Sequence, residues 1–371
     1  MAIRFDKDTR RATNGPMIFF SDPSAEISIS DEIRGAIESR LSFYAYRMPG
    51  DMIMSFGSSE GVVEGIGQAG FVIAPFLPGN PYLTIPYKSP GKKQLLSAND
   101  LNESISPFPS HSTTKEEHEN EITAIKKALL KTEGGKIVAA RAILIQRRID
   151  IGATFCELCR NHPEALVFCF STPLTGCWIG ASPELLLESA SDGIKTMALA
   201  GTRKAGSQEC WDIKNIEEQS MVTEYIKGIM QKHNLHTETS PTFNKIAGKV
   251  EHICTPLTAI SRTPLTPDTL SAILHDLSPT PALCGTPREV ALEIINENEH
   301  FKRGCYGGFC GPYRSPSDFT FYVNLRSALT EESAMSLFAG GGITLLSEPE
   351  AEWEETQIKS TTLLDSIHFE N

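Results

Sequence analysis

The chain is predicted to fold as an α+β protein built on antiparallel sheets. Strand-like and helix-like stretches mix along it without a regular βαβ rhythm, and hairpin-like neighbours are frequent. Of its 371 residues 40% are apolar, enough for a large core in one large domain or two intimately packed halves. The net charge of −12 argues against nucleic acid as a partner. A small anionic substrate stays compatible with it, because a few local cations outweigh a global balance.

The opening MAIRFDKDTRRATNGP is charged and lacks an apolar segment, so no signal peptide is expected. No apolar run approaches the roughly 18 residues of a spanning helix, so no membrane partner is expected. Nine scattered cysteines, an odd number, fit a reducing cytoplasm. Asp31 to Arg40 reads as an amphipathic helix and Leu41 to Arg47 as an aromatic-rich strand, with strands again at 71–77 and 82–85. Residues 98–118 are polar and nearly free of aliphatics, and read as a linker between an N-terminal part (1–117) and a main region (118–371) of one compact unit. Beyond it, helices are expected at 119–132, 153–162, 215–233, 268–275 and 288–299. Strands are expected at 136–146, 165–171, 177–180, 184–188, 196–202, 307–313, 319–329 and 334–339.

Phe338 to Thr361 concentrates chemistry. Ser347-x-x-Glu350 has the pattern of a capping box with Pro349 in the first turn. In the helix that follows, Glu352, Glu355 and Lys359 fall on one face. Gly340, Gly341 and Gly342 before it offer bare backbone N–H groups and close approach to an anion. In helix 215–233, Glu218 lies on the stripe of Val222 and Tyr225. It is either an inward carboxylate needing a metal, a cation or a proton, or a helix-entrance residue favoured by the dipole. Glu184 follows a Gly-Ala-Ser-Pro turn at a strand mouth. Lys136 opens a strand, where lysines are usually solvated and act as bases only when burial or nearby cations lower their pKa. Arg326 sits in the apolar stretch TFYVNLRSAL, on the face of Tyr322 and Asn324, suited either to a carboxylate ligand or to an acidic neighbour. His252 is a lone strand histidine. Cys156-x-x-Cys159 with His162 lacks a second CxxC and falls on a helix, so zinc is rejected. Nucleotide-binding glycine patterns are absent.

Taken together, KIVAARAILI, GASPELLL, MALAGTRK, DIKNIEEQSMV, HICTPL, LSPTPALCGTPR, KRGCYGGFCG, FYVNLRSAL and FAGGGITLLSEPEAEWEETQIKSTTLL resemble the chorismate-utilising enzymes, in family order from about residue 118 to the end. That family comprises isochorismate, salicylate, anthranilate and aminodeoxychorismate synthases. The resemblance implies two antiparallel sheets packed as a core with helices outside, and a site in the cleft between the halves. It implies Mg2+ held by Glu218 and Glu355, with Glu352 acting through water. Gly340, Gly342, Tyr306, Arg326 and Lys359 would hold the carboxylates of chorismate, with Gly201, Thr202 and Leu283 lining the cleft.

In the isochorismate branch the resemblance makes Lys136 the base that activates water and Glu184 the acid that protonates the departing hydroxyl, with His252 beside it. Lys136 and the PALCG segment favour this branch over the ammonia-using one. A salicylate synthase, an amidotransferase-paired subunit and a catalytically dead binding module are the competing readings; the last would be expected to lose Lys136, Glu184 or a metal ligand. The product would serve menaquinone or siderophore synthesis, from a monomer or weak dimer. The sequence departs from the family at Gln219, where histidine is usual, at Asn215, where an acid is usual, and in GGGI for GAGI.

Overall fold

A computed structural model describes residues 18–19, 23–88, 95–96, 104–132 and 135–370. The N-terminal stretch read for a signal peptide and residues 98–103 of the polar stretch lie outside these. In chain order the elements are β1 (Ile18–Phe19), α1 (Pro23–Glu38), β2 (Ser42–Arg47), β3 (Ile53–Ser59), β4 (Val63–Glu64), β5 (Gly70–Ala74), β6 (Leu83–Pro86) and α2 (Lys115–Lys131). Then come β7 (Lys136–Ile145), α3 (Ile151–Asn161), β8 (Leu166–Thr172), β9 (Gly176–Ser182), β10 (Leu185–Ala190), β11 (Gly193–Lys204) and α4 (Ile213–Lys232). β12 (His236–Thr239), β13 (Phe243–Ala247), β14 (Val250–Ile260), α5 (Pro267–Leu277), β15 (Gly285–Thr286) and α6 (Arg288–Asn298) follow. The chain ends with β16 (Phe309–Ser315), β17 (Asp318–Val323), β18 (Ser327–Thr330), β19 (Met335–Ile343) and α7 (Pro349–Leu364).

The strands form two antiparallel sheets. One runs β1-β3-β2-β8-β9-β18-β19-β7-β15 and the other β12-β14-β11-β10-β17-β16-β5-β6-β4, with β13 on β14. Residues before 118 thus supply strands to both sheets. The sheets face each other across an aromatic layer in which Tyr44 of β2 stacks on Phe71 of β5 at 5.3 Å, with Phe168, Phe170, Trp178 and Phe338 alongside. Helices cover the outer faces: α1 and α3 lie on the first sheet, α4 and α5 on the second. α2 and α6 enclose the end of β7. Burying one face of each element in this way supplies most of the folding drive. No helix among the described residues is long and apolar enough to cross a membrane.

Four local expectations are corrected. α2 begins four residues early, because Thr114 and Glu117 form a capping box: Thr114 Oγ1 accepts from the Glu117 N–H at 3.2 Å, and Glu117 accepts from the Thr114 N–H at 2.7 Å. The capping box expected at Ser347 does not form. Ser347 Oγ instead accepts from the Thr344 N–H at 3.1 Å, closing the turn before α7, and the N-cap is Glu348. The apolar stretch 319–329 is two strands rather than one. β17 belongs to the second sheet and β18 to the first, and the chain crosses between them at Asn324–Arg326, with Arg326 at φ 49°. Strand alternation therefore does not set the direction of Arg326. Residues 104–114 of the polar stretch are docked on the sheets rather than free: Ile105 donates to the Leu174 carbonyl, Thr113 exchanges hydrogen bonds with Ala142 of β7, and Ser106 and Thr113 are buried.

Candidate active site

β7 and β19 pair over their whole length, from Ile137 opposite Ile343 to Ile145 opposite Met335. This sets Lys136 beside the end of the glycine run, while α7 packs back over β19 and α4 over β11. Between the sheets and α4 opens a narrow cleft whose empty space, open solvent at its mouth included, is about 660 Å3. Lys136, Glu184, Gly201, Thr202, Glu218, His252, Leu283, Tyr306, Arg326, Gly340, Gly342 and Lys359 all line it. These residues come from far-separated parts of the chain. Glu352 and Glu355 do not line it; their carboxylates stand against Gly341.

The glycine run serves space rather than backbone freedom. Gly340, Gly341 and Gly342 lie in regular pairing with Ala140, Ala139 and Val138, and none has a positive φ. A Cβ on Gly342 would collide with Glu218 Oε1 and the end of Lys136, and one on Gly341 would lie 3.0 Å from Glu352 Oε2. Only glycine lets the strand pass this close to three carboxylates and a lysine.

Lys136 is only 1% exposed, against the usual solvated lysine at a strand start, and its ammonium pairs with Glu218 Oε1 at 2.5 Å. Glu218 stands in the second turn of α4, 12% exposed, facing inward. Lys359 Nζ pairs with Glu355 Oε1 at 2.6 Å and donates to the Gly340 carbonyl at 2.8 Å. Glu352 is buried and pairs with Lys214. Each of the three carboxylates therefore has one ammonium partner, and their ligand atoms do not all come within 4.8 Å of one another. A buried oxygen, Glu352 Oε2, has no protein partner. Burial and the neighbouring Glu355 push the Glu352 carboxyl above its usual range. Burial pushes Glu355 up too, but Lys359 and Lys214 more than offset it. Crowded carboxylates with an orphaned oxygen are a donor set that fits a hard dication.

Burial pushes Glu184 up to about 8, against the pull of Lys136 and Lys359, so the carboxyl is protonated at neutral pH. Burial, with Arg326 and Lys359, holds His252 down to about 3. Its Nδ1–H donates to the Gly201 carbonyl at 2.8 Å, which leaves Nε2 of the neutral ring as an acceptor. Arg326 is anchored by bonds to the Lys359 carbonyl (3.1 Å) and Thr362 Oγ1 (3.0 Å). Burial lowers it to about 10, still charged at neutral pH. Tyr306 stacks on Phe338 at 5.4 Å.

Two contributors escaped the sequence reading. Lys214 gave no sign because its partner lies 138 residues away. Asn215, noted only as a departure, accepts from the Thr202 N–H through Oδ1 at 2.8 Å and so ties the irregular end of β11 to α4. A second departure, Gln219, donates to Thr223 and Thr255 at 2.9 and 2.7 Å and does not line the cleft. Among the described residues, one surface group, His111, Glu117 and His300, brings three potential ligand atoms within 4.8 Å. Its glutamate already caps α2.

A family model described as chorismate binding enzyme matches residues 90–368. The chain belongs to that family. Isochorismate synthase EntC of Escherichia coli (strain K12) is 32% identical over 246 residues, 62% of this chain and 61% of the relative. Isochorismate synthase MenF of Bacillus subtilis (strain 168) is 31% identical over 247 residues, 62% of this chain and 51% of the relative. The match thus spans less than two thirds of the length of either relative. In fold, the chain superposes on the menaquinone-specific isochorismate synthase MenF from Escherichia coli with a TM-score of 0.71 at 20% identity, over 88% of each chain. It superposes on anthranilate synthase component I from Streptococcus pneumoniae TIGR4 with a TM-score of 0.59 at 14% identity, over 87% of this chain and 92% of the other. The two antiparallel sheets with outer helices are therefore the architecture of this family.

Proposed function

We propose that the protein is an isochorismate synthase, which converts chorismate reversibly to isochorismate. The observation that carries this is the pairing of functions in one cleft: a buried lysine, Lys136, and a carboxyl kept protonated at neutral pH, Glu184. Lys136, once deprotonated, takes a proton from water as its oxygen bonds to ring carbon C2. The ring double bonds shift, the C4–oxygen bond breaks, and Glu184 delivers its proton to the departing hydroxyl. Water is a poor nucleophile and hydroxide a poor leaving group, so both transfers are needed. His252 offers its Nε2 as an acceptor beside this exchange. Arg326, Lys359 and Tyr306 supply the donors for the two substrate carboxylates.

Magnesium is the metal this reading requires, with Glu218, Glu352 and Glu355 holding it. When bound it would neutralise a substrate carboxylate. Relatives carry both menaquinone-specific and vibriobactin-specific names, so the product would feed a quinone or a siderophore. Nine free cysteines support a reducing, cytoplasmic setting.

Incubation with chorismate and magnesium should yield a chorismate–isochorismate mixture approached from either side, since one allylic alcohol replaces another. Stoichiometric pyruvate, followed with coupled lactate dehydrogenase, would instead make it a salicylate synthase. Ala282→Thr, beside Leu283 in the cleft wall, is the change most apt to raise pyruvate release.

The acid assignment has its own pH signature. Glu184 must be protonated to act, so kcat should fall as pH rises through about 8. Glu184→Gln should lose about 10²- to 10⁴-fold in kcat, the range for a general acid. A kcat profile with no alkaline limb up to pH 9.5 would remove Glu184 from that role.

A further inference from the structure

Lys214 takes no part in the reaction above, yet its ammonium reaches into the acidic group. It lies in the first turn of α4, one turn before Glu218, and pairs with Oε1 of Glu352 on α7. Glu352, Glu355 and Glu218 all act on its charge. Glu352 is 2% exposed, and its two oxygens have different fates. Oε1 is taken by Lys214, whereas Oε2 is buried without a protein partner and lies over Gly341 beside Glu355.

A buried carboxylate oxygen left without a donor is costly, and such an orientation persists only when something else fixes the carboxylate. The ammonium on Oε1 is that fixture. α4 and α7 pack on different sheets, so the Lys214–Glu352 pair also pins the two helices that carry all three carboxylates.

We propose that Lys214 is a positioning residue for the divalent cation: by gripping Oε1 of Glu352 it turns Oε2 toward the cation or toward a water bound to it. This rests on the magnesium reading given above. The alternative role for an ammonium in an acidic group is that of a competitor, a tethered cation that the metal must displace. The two roles differ in sign. Removing a positioning lysine weakens metal binding; removing a competitor strengthens it.

Mn2+ serves as the probe, with free Mn2+ counted by electron paramagnetic resonance on the full-length protein without substrate. Lys214→Met should weaken Mn2+ binding by about tenfold, the lower end of the range for residues that orient metal ligands, and Lys214→Arg should restore most of it. Glu352→Gln should weaken binding to a similar degree, and the double variant should be no worse than either single one, because the two act as a unit. Mn2+ binding in Lys214→Met as tight as wild type, or tighter, would overturn the positioning role. So would fully additive losses in the double variant. No Mn2+ binding by the wild type would overturn the magnesium reading itself, and the positioning role with it.

Discussion

Lys136→Ala is expected to lose hydration of chorismate almost completely, by about 10³-fold in kcat, the middle of the range for a general base. The lysine is enclosed at the mouth of β7, and neither neighbour competes with it as a base: burial, with Arg326 and Lys359, holds His252 down to about 3, which makes its free Nε2 a weak proton acceptor, and Glu184 is protonated. Chorismate binding should persist, because Arg326, Tyr306 and Lys359 are untouched. The measurement is isochorismate formation alongside ligand binding by fluorescence, with a melting curve to confirm the fold. The last control matters because the substitution strips Glu218 of its 2.5 Å partner. Near-normal isochorismate formation by the alanine variant would show that the base lies elsewhere.

The second large effect is expected at Glu355. Its carboxylate is shaped by the ion pair with Lys359, which in turn holds the Gly340 carbonyl, so Glu355→Gln keeps the size of the side chain while removing its charge. A lost charged ligand should cost more than about 2 kcal/mol in kcat/KM, and excess chelator should abolish wild-type turnover. Full turnover in chelator would exclude the metal from the reaction. Glu355→Gln frees Lys359 as well as the cation. A parallel rise in the magnesium concentration needed by Glu355→Gln and by Glu218→Gln, which free different lysines, would separate the metal effect from the lysine.

Sequence alone carried the fold class, because strand and helix periodicities are local and survive without tertiary information. It also named dispersed residues that the fold brings together, with Glu352 and Glu355 standing behind the cleft wall. Twelve dispersed residues expected in one cleft do line one cleft, and their signal lay in the ordered motifs rather than in any single residue. Local pattern failed where another arrangement of the backbone took over. The Ser347 box lost to a turn closed by Thr344, and the apolar run 319–329 lost its continuity where the chain had to cross between sheets.

What only the tertiary structure decided is charge state and spacing. Lys136 and Glu218 are 82 positions apart, and each would be solvated alone; packing β7 against β19 beneath α4 buries the lysine against the glutamate. The protonated Glu184, the neutral His252 and the Lys214 clamp on Glu352 arise the same way. Desolvation and Coulomb interaction depend on distance through space, and sequence spacing does not encode that distance.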